Sequence, residues 1–198
     1  YFTTNIEDAK TAIGNGALGT NNRVVCIKQS SATNGTIFEL CYNPDDKSVI
    51  ERHIKDFTLS SSLVSTADIG AIIAEAAEAA PANSYAMVFA GHGTGWIPRV
   101  LADSSVSTLA LGYDAWIPAE GAEVTRNFGE SNVKLDISEI AESIEYSGIE
   151  LDYILFDACF MSNIEAVYDL RNSAKYIIAS PCEIMGKGFP YHRTLPYL

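Results

Sequence analysis

The sequence predicts one α/β domain built around a mainly parallel β-sheet. Three apolar runs, at residues 85–90, 153–156 and 176–179, are bounded by turn-prone residues, as is typical of buried parallel strands. A helical pattern separates the second run from the third, and such an alternation implies right-handed crossovers between parallel strands. With 198 residues, 47% of them hydrophobic, the chain is long enough to bury a single core.

The N-terminal part of the chain predicts one helix followed by antiparallel strands. The elements expected there are a helix at residues 3–13 and strands at 24–27, 36–42 and 48–57. The pair Asn34-Gly35 is a strong turn signal that joins the first two strands into a hairpin. If this turn centres near Thr33 and Asn34, Cys26 and Cys41 lie opposite each other. Either a disulfide or two buried free thiols would fit that arrangement.

The rest of the chain alternates helices and strands around a long irregular region. Helices are predicted from a cap at Ser65 or Thr66 to Pro81, from Asp136 to Gly148, and over residues 161–171. The last helix is expected to follow its strand directly and to turn inward Met161, Ile164, Val167 or Tyr168, and Leu170. Residues 93–134 show little periodicity. An irregular segment of this length within a compact domain is often functional.

The charge balance limits the classes of partner. The chain has a formal net charge of −12 and a sequence pI of about 4.5. This acidity argues against nucleic acid and anionic membrane surfaces as partners, and it is compatible with cationic substrates. No apolar stretch approaches 18 residues, so no membrane-spanning helix is predicted. The spacings of the four cysteines fit no zinc site.

Cys159 and His92 each follow a predicted buried strand, and the carboxyl ends of such strands are where ligands and chemistry sit in open α/β sheets. Cys159 would lie near the N-terminus of the next helix, whose dipole favours an anion. His92, between Gly91 and Gly93, is placed to shuttle a proton. The backbone N–H groups of Gly93 and Cys159 would face a developing oxyanion. The alternatives are a small buried cysteine and a turn histidine without a chemical role.

Asp157 and Glu183 are candidates for recognising a substrate. Asp157 lies two residues before Cys159, so strand alternation puts both side chains on one face. A carboxylate there opposes thiolate formation, which makes Asp157 a poor activator and a better attractant for a substrate Lys or Arg. Glu183, in the loop after the third strand, would add a second negative wall. The alternatives are a structural aspartate bonded to backbone amides and a solvated loop glutamate.

Three blocks of sequence, at residues 89–96, 156–161 and 180–191, resemble the cysteine peptidases of the caspase–gingipain–legumain clan. Within that clan the chain is similar to the clostripain family, peptidase C11. The blocks read FAGHGTGW, FDACFM and SPCEIMGKGFPY, and they occur in the family's order. The likeness extends from the first helix to the C-terminus.

The resemblance implies a caspase-like, three-layer α/β/α sandwich with a mainly parallel sheet and a β-hairpin. It implies a dyad of His92 and Cys159 that cleaves peptide or protein substrates after basic residues, with Asp157 at the base of the S1 pocket. Ser180 and Glu183 join it as expected substrate-binding residues. The family's first strand would precede Tyr1, and its chains would continue beyond Leu198.

Further implications of the resemblance concern processing, location and cofactors. Family members are often cleaved by themselves between the two catalytic strands, where Arg99, Arg126 and Lys134 are the candidate sites. The family is mainly bacterial and secreted or surface-anchored, so an extracytoplasmic location is expected. No cofactor is required, although some members depend on calcium; no dedicated calcium loop is visible in the sequence.

The leading hypothesis is therefore a cysteine endopeptidase with Arg or Lys at P1. One alternative is a non-catalytic caspase-like module that binds a protein partner. Another is a different cysteine hydrolase, such as an amidase, on a similar sheet.

Overall fold

The computed structural model describes residues 2–19, 21–31, 33–59, 65–93, 95, 128–130, 133–186 and 188–197. The elements in the first half are α1 (Phe2–Gly14), β1 (Val24–Gln29), β2 (Asn34–Asn43), β3 (Ser48–Thr58), α2 (Thr66–Ala79) and β4 (Tyr85–Ala90). Those in the second half are β5 (Phe128–Glu130), β6 (Val133–Leu135), α3 (Ile137–Ser147), β7 (Leu151–Asp157), α4 (Ile164–Asp169), β8 (Ala174–Ile178), α5 (Tyr191–Thr194) and a 3-10 turn (Leu195–Tyr197).

The three apolar runs form a parallel sheet in the order β4-β7-β8, as the sequence predicts. The central strand β7 is the most deeply buried, with Ile154 and Phe156 fully enclosed. The register pairs Ala90 at the end of β4 with Asp157 at the end of β7. The carboxyl ends of these two strands therefore lie side by side.

Strands β1, β2 and β3 form a separate antiparallel sheet, which confirms the predicted hairpins. The expected pairing of Cys26 with Cys41 is wrong, because Cys26 faces Phe38 and Cys41 faces Ile50. The hairpin connection between β1 and β2 lies between Gln29 and its partner Gly35, so the two strands pair in a different register from the predicted one. Both thiols are free. Burial raises the pKa of the Cys26 thiol to about 12, so it is a poor nucleophile at neutral pH.

Two helices pack together and complete the main core. Ser65 caps α2, with its hydroxyl accepting the Asp68 amide at 3.3 Å. Asp136 begins α3 in a capping box with Glu139, whose carboxylate accepts the Asp136 amide at 2.8 Å. Both starts agree with the sequence prediction. The core that these helices share with the parallel sheet includes Ile72, Ile73, Ile137, Ile140, Ile144, Leu151, Ile154 and Phe156.

The helix after β7 is shorter and begins later than predicted. The sequence favours residues 161–171, whereas α4 spans only Ile164–Asp169. Met161 and Leu170 are buried and Val167 is half-buried, as expected, but Ile164 is 74% exposed. Tyr168, the alternative to Val167, is also exposed. The chain between β7 and α4 forms an irregular turn instead, and this turn carries Cys159.

The described part of the chain contains no helix with the length and apolar character that crossing a bilayer requires. Together, the two sheets and the helices form a mixed α/β fold with a three-stranded parallel sheet and an antiparallel hairpin sheet, as the sequence predicts.

Candidate active site

His92 and Cys159 follow neighbouring parallel strands at the same edge of the sheet. Ala90 pairs with Asp157, and the Gly91 amide extends this pairing by donating to the Asp157 carbonyl at 3.2 Å. His92 and Cys159 each come two residues after this last pair. The predicted convergence of the two motifs is therefore present in the backbone, and the His92 side chain is exposed at this rim.

Two glycines hold the segment after His92 directly against the turn that carries Cys159. A Cβ on Gly93 would lie 2.6 Å from the Cys159 carbonyl oxygen and 3.1 Å from Met161 Sδ. Gly95 has a φ of +72°, and a Cβ there would lie 2.8 Å from the Phe160 carbonyl oxygen. The separations of 2.6 Å at Gly93 and 2.8 Å at Gly95 are too short for a side-chain carbon. The close approach of the two motifs therefore depends on glycine.

The loop after β8 closes the other side of the Cys159 turn. The Ile184 amide donates to Cys159 Sγ at 3.2 Å, and the Cys159 side chain is half-buried. Cys182 accepts the Phe160 amide at 3.1 Å through its carbonyl, and Ser180 accepts the Ser162 amide at 3.0 Å in the same way. The sulfur thus contacts the loop after β8 and has a backbone N–H donor pointing at it.

The predicted position of Cys159 at a helix N-terminus is wrong. Phe160 adopts a φ of +59°, which is uncommon for a residue with a large side chain and breaks the chain's path into a helix. Asn163 stabilises this turn, because its Nδ2 donates to the Phe160 carbonyl at 2.7 Å while its Oδ1 accepts the Ala166 amide at 2.9 Å and caps α4. The donor at the sulfur is the Ile184 amide, for which the sequence carries no local signal.

Asp157 is fully buried and accepts hydrogen bonds from three residues. Its Oδ2 accepts Asn5 Nδ2 at 3.0 Å and the Tyr191 hydroxyl at 3.0 Å, and the Phe189 amide lies 3.1 and 3.2 Å from its two oxygens. These donors satisfy the buried carboxyl group, as buried polar groups require. Its bond with the Phe189 amide is the kind of backbone contact expected of a structural aspartate. Its bonds with Asn5 and Tyr191 connect β7 to α1 and to the start of α5. Its role toward a substrate remains a prediction.

The other predicted substrate-binding residues lie along the same loop. Glu183 is exposed and directly precedes Ile184, the residue that contacts the sulfur. Ser180 is half-buried, and its hydroxyl accepts the Cys182 amide at 3.1 Å. Sequence reasoning missed Asn5 and Tyr191 as partners of Asp157. Tyr191 falls within the third motif block, whereas Asn5 lies 152 residues away and carries no signal.

Two of the candidate self-cleavage sites, Arg99 and Arg126, fall outside the described residues. The third, Lys134, lies in β6. Among the described residues there is no group of three or more His, Cys, Asp or Glu side chains arranged to hold a metal ion.

The mixed α/β fold matches that of C11 protease structures, and the family comparison agrees. The clostripain family model matches residues 13–198, so the chain belongs to the clostripain family, peptidase C11. None of the curated proteins compared matches the chain.

Three solved structures are similar to this chain over 99% of its length. Iotapain, a secreted C11 cysteine protease from Bacteroides thetaiotaomicron, is 31% identical, with a TM-score of 0.78. A secreted C11 cysteine protease from the same organism, in complex with an irreversible peptide inhibitor, is 26% identical, with a TM-score of 0.72. An inactive zymogen C11 protease from Parabacteroides distasonis is 28% identical, also with a TM-score of 0.72. The chain spans 52%, 48% and 48% of these proteins respectively, or about half their length.

Proposed function

We propose that this chain provides the catalytic centre of a cysteine endopeptidase that cleaves after Arg or Lys. The observation that carries the proposal is the contact between the two motif segments, in which Gly93 lies against the Cys159 carbonyl in a chain of the clostripain family. Cysteine protease relatives of similar fold support the reaction class. Cys159 is the nucleophile and His92 the general base.

The reaction proceeds through two acyl transfers. His92 accepts the thiol proton of Cys159, and the sulfur attacks the scissile carbonyl carbon to form a tetrahedral intermediate. The intermediate collapses to a thioester as the C–N bond breaks, and the imidazolium of His92 gives its proton to the leaving amine. Water then attacks the thioester, with His92 accepting its proton, and the thiol of Cys159 is restored as the carboxylic acid leaves.

The backbone around the sulfur supports the charged steps. The N–H groups of Gly93 and Cys159 are the proposed donors to the oxyanion of each tetrahedral intermediate. The Ile184 amide, 3.2 Å from Cys159 Sγ, favours negative charge on the sulfur before attack. A backbone donor needs no reorganisation during the reaction, because the surrounding turns already fix its direction.

Selection of a basic P1 side chain is assigned to the acidic residues near the sulfur. Asp157 precedes Cys159 by two residues and carries a buried carboxyl group, while Glu183 lies exposed beside Ile184. Ser180 lies in the same loop as Glu183, and its carbonyl accepts the Ser162 amide of the turn that carries Cys159. The inhibitor in one relative's structure is a peptide, which supports a peptide substrate.

The remaining proposals concern the whole protein. Secreted relatives support an extracytoplasmic location. Cleavage at Arg99, Arg126 or Lys134 by the enzyme itself is proposed as a maturation step, because each residue matches the proposed P1 preference. Calcium dependence stays a prediction from the family resemblance.

The test is hydrolysis of fluorogenic peptides with Arg, Lys or norleucine at P1. The parent protein should cleave the Arg and Lys peptides, and Cys159→Ala should remove this activity. Cys182→Ala is the matched control, because it removes an exposed thiol that has no role in the proposed mechanism. The Cys182 carbonyl, which accepts the Phe160 amide, stays in place. Absence of turnover would favour the protein-binding module instead. Turnover of small amides but not of peptides would favour an amidase.

A further inference from the structure

Cys182 places a second thiol on the loop that contacts Cys159. Both cysteines are free, and Cys182 is exposed while Cys159 is half-buried. Cys182 lies two residues before Ile184, whose amide donates to Cys159 Sγ at 3.2 Å. The proposed hydrolysis uses only one of these two thiols, so the second one has no function assigned to it.

Two backbone hydrogen bonds hold the segments that carry these cysteines against each other. The Phe160 amide donates to the Cys182 carbonyl at 3.1 Å, and the Ser162 amide donates to the Ser180 carbonyl at 3.0 Å. The two segments therefore run in opposite directions, and Cys159 and Cys182 lie at the same end of this pairing. The Cys159 sulfur points toward the loop that carries Cys182, because it accepts the amide of Ile184 in that loop.

The bond from Phe160 to Cys182 limits the separation of the two cysteines. Covalent geometry puts the Phe160 nitrogen about 2.4 Å from Cys159 Cα, and the Cys182 oxygen about 2.4 Å from Cys182 Cα. With the 3.1 Å hydrogen bond between them, the two Cα atoms lie no more than about 8 Å apart. A disulfide joins Cα atoms that are roughly 4.4–6.8 Å apart, so a movement of about 1 Å brings even the upper limit into range. The loop between β8 and α5 belongs to no helix or strand, so its own structure does not oppose such a movement.

The surroundings of Cys159 favour its oxidation. The Ile184 amide stabilises negative charge on the sulfur, and the thiolate is the form of cysteine that reacts with peroxides. Cysteines that sense oxidants combine thiolate character with access to solvent and a second thiol nearby. The loop after β8 supplies both the donor to the Cys159 sulfur and the exposed thiol of Cys182.

We propose that Cys182 is a resolving thiol for Cys159, so that hydrogen peroxide converts the two residues into a reversible disulfide that stops peptide hydrolysis. The loss of hydrolysis rests on the proposed function, whereas the disulfide itself does not. Cys182 takes no part in hydrolysis, and its thiol protects Cys159 from irreversible oxidation.

The reaction has two balanced steps. The Cys159 thiolate attacks one oxygen of hydrogen peroxide, the O–O bond breaks, and the other oxygen takes up a proton and leaves as water, so that Cys159 becomes a sulfenic acid. The Cys182 thiolate then attacks the sulfenic sulfur, the S–O bond breaks, and the second oxygen leaves as water. Two thiols are oxidised to one disulfide while one peroxide is reduced to two waters.

The experiment treats the reduced, folded protein with excess hydrogen peroxide, blocks the remaining thiols with N-ethylmaleimide, and maps the cysteines by mass spectrometry. Trypsin separates the two cysteines after Arg171 and Lys175, so a linked pair of peptides reports the disulfide. We expect the link between Cys159 and Cys182 to exceed every other pairing at least about 10-fold, because the packed segments raise the effective concentration of the two thiols. Hydrolysis of an Arg peptide should fall as this link forms and should return with dithiothreitol.

Cys182→Ser removes the resolving thiol but keeps the carbonyl that accepts the Phe160 amide. In this variant peroxide should carry Cys159 on to the sulfinic acid, and dithiothreitol should restore at least about 5-fold less activity than in the parent. Cys41→Ser is the matched control, because it removes a free, half-buried thiol on the antiparallel sheet, and it should behave as the parent does. Equal recovery in Cys182→Ser and the parent, or a link between the Cys182 residues of two molecules, would overturn the proposal.

The two proposals fail in different ways. If fluorogenic peptides are cleaved after Arg but peroxide forms no link between Cys159 and Cys182, the resolving role of Cys182 is wrong and the peptidase stands. If no peptide is cleaved but the link forms in the folded protein, the catalytic assignment falls and the oxidation site stands.

Discussion

The backbone amide of Ile184 donates a hydrogen bond to the sulfur of Cys159 across 3.2 Å. This relationship links the loop after β8 to the turn after β7, two segments separated by a helix and a strand. It gives the proposed nucleophile a fixed donor where the sequence predicts a helix dipole. The donor is a backbone group, so its contribution is independent of the side chain at position 184.

Removing that donor should slow the reaction of Cys159 with electrophiles. Ile184→Pro lacks the N–H, and we expect alkylation by iodoacetamide at neutral pH to fall by roughly 10- to 100-fold, the equivalent of one hydrogen bond to a charged group. Ile184→Ala is the control, because it keeps the N–H and removes the side chain. Equal rates in the two variants would show that the amide does not support the thiolate. Mass spectrometry of the Cys159 peptide reports the rate.

Gly93→Ala should separate the two motif segments. The new Cβ would lie 2.6 Å from the Cys159 carbonyl oxygen, so one backbone must move. We expect peptide hydrolysis to fall at least about 10-fold and unfolding free energy to fall by roughly 1–3 kcal/mol, the usual cost of overpacking. Gly14→Ala is the control, since its Cβ would make ordinary contact at 3.8 Å with Val49. Full activity in Gly93→Ala would mean that this contact does not organise the site.

Asp157→Asn should change both specificity and stability. The variant loses the negative charge, so we expect the preference for Arg and Lys over norleucine at P1 to drop by about 10-fold or more. It should also lose roughly 1–3 kcal/mol of stability, because the amide cannot accept every donor that meets Asp157. The readouts are kcat/KM for the three peptides and urea unfolding.

Asp152→Asn is the control for that change. Asp152 lies on the same strand, where its side chain is 40% exposed and paired with Lys175 at 2.5 Å. It should alter neither P1 preference nor stability appreciably. A P1 preference that survives in Asp157→Asn would remove Asp157 from substrate recognition and leave it a structural role.

Asn163 should stabilise the Phe160 turn through a donor that aspartate lacks. Asn163→Asp keeps the acceptor that caps α4 but cannot donate to the Phe160 carbonyl, which Asn163 meets at 2.7 Å. We expect roughly 1 kcal/mol of lost stability and a lower kcat for peptide hydrolysis, because the φ of +59° at Phe160 is less well supported. Asn163→Ala should lose about 1 kcal/mol more through the cap. No effect of Asn163→Asp beside a clear loss in Asn163→Ala would assign Asn163 to capping alone.

Glu39 should make the antiparallel sheet sensitive to acid. This buried carboxylate is paired with Arg23 and with Arg52. These pairs, chiefly the hydrogen bond with Arg23, lower the pKa of Glu39 to about 2. The folded-state pKa lies below the ordinary value of 4.5, so the contribution to stability is complete above pH 4.5 and is lost as the pH falls toward 2. Its size is on the order of 1–3 kcal/mol, since both arginines are partly exposed.

The measurement is unfolding free energy against pH between about 5 and 2. Glu39→Gln should flatten the fall in that window, whereas Glu75→Gln should leave it nearly unchanged because the pair between Glu75 and Lys55 is exposed. A slope that is the same in Glu39→Gln and the parent would contradict the assignment.

The parallel sheet, with His92 and Cys159 following two neighbouring strands, could be predicted from the sequence, because strand burial and the edge rule for parallel sheets both act through local composition. The late start of α4 could not be predicted, because it depends on the positive φ of Phe160. A residue of this type disfavours such a φ, and tertiary contacts impose it. The pairing of Cys26 was also missed, because it depends on the length of the connection after β1.

The surroundings of Asp157 show a second limit of the sequence. The motif identified the carboxylate, but its partners Asn5 and Tyr191 lie 152 and 34 residues away and carry no periodic or compositional signal. Burial and saturation with donors are properties of the folded chain, because they arise where α1, β7 and α5 come together.

The central claim is that Cys159 is a nucleophile in a cleft that accepts a basic side chain. The most direct measurement is labelling with a peptidyl acyloxymethyl ketone that carries Arg at P1, followed by mapping of the modified residue by mass spectrometry. We predict modification at Cys159, not at the exposed Cys182, at least about 10-fold faster than with the norleucine analogue, and abolished by His92→Ala. Equal labelling by both reagents, or modification at Cys182 instead, would contradict the account.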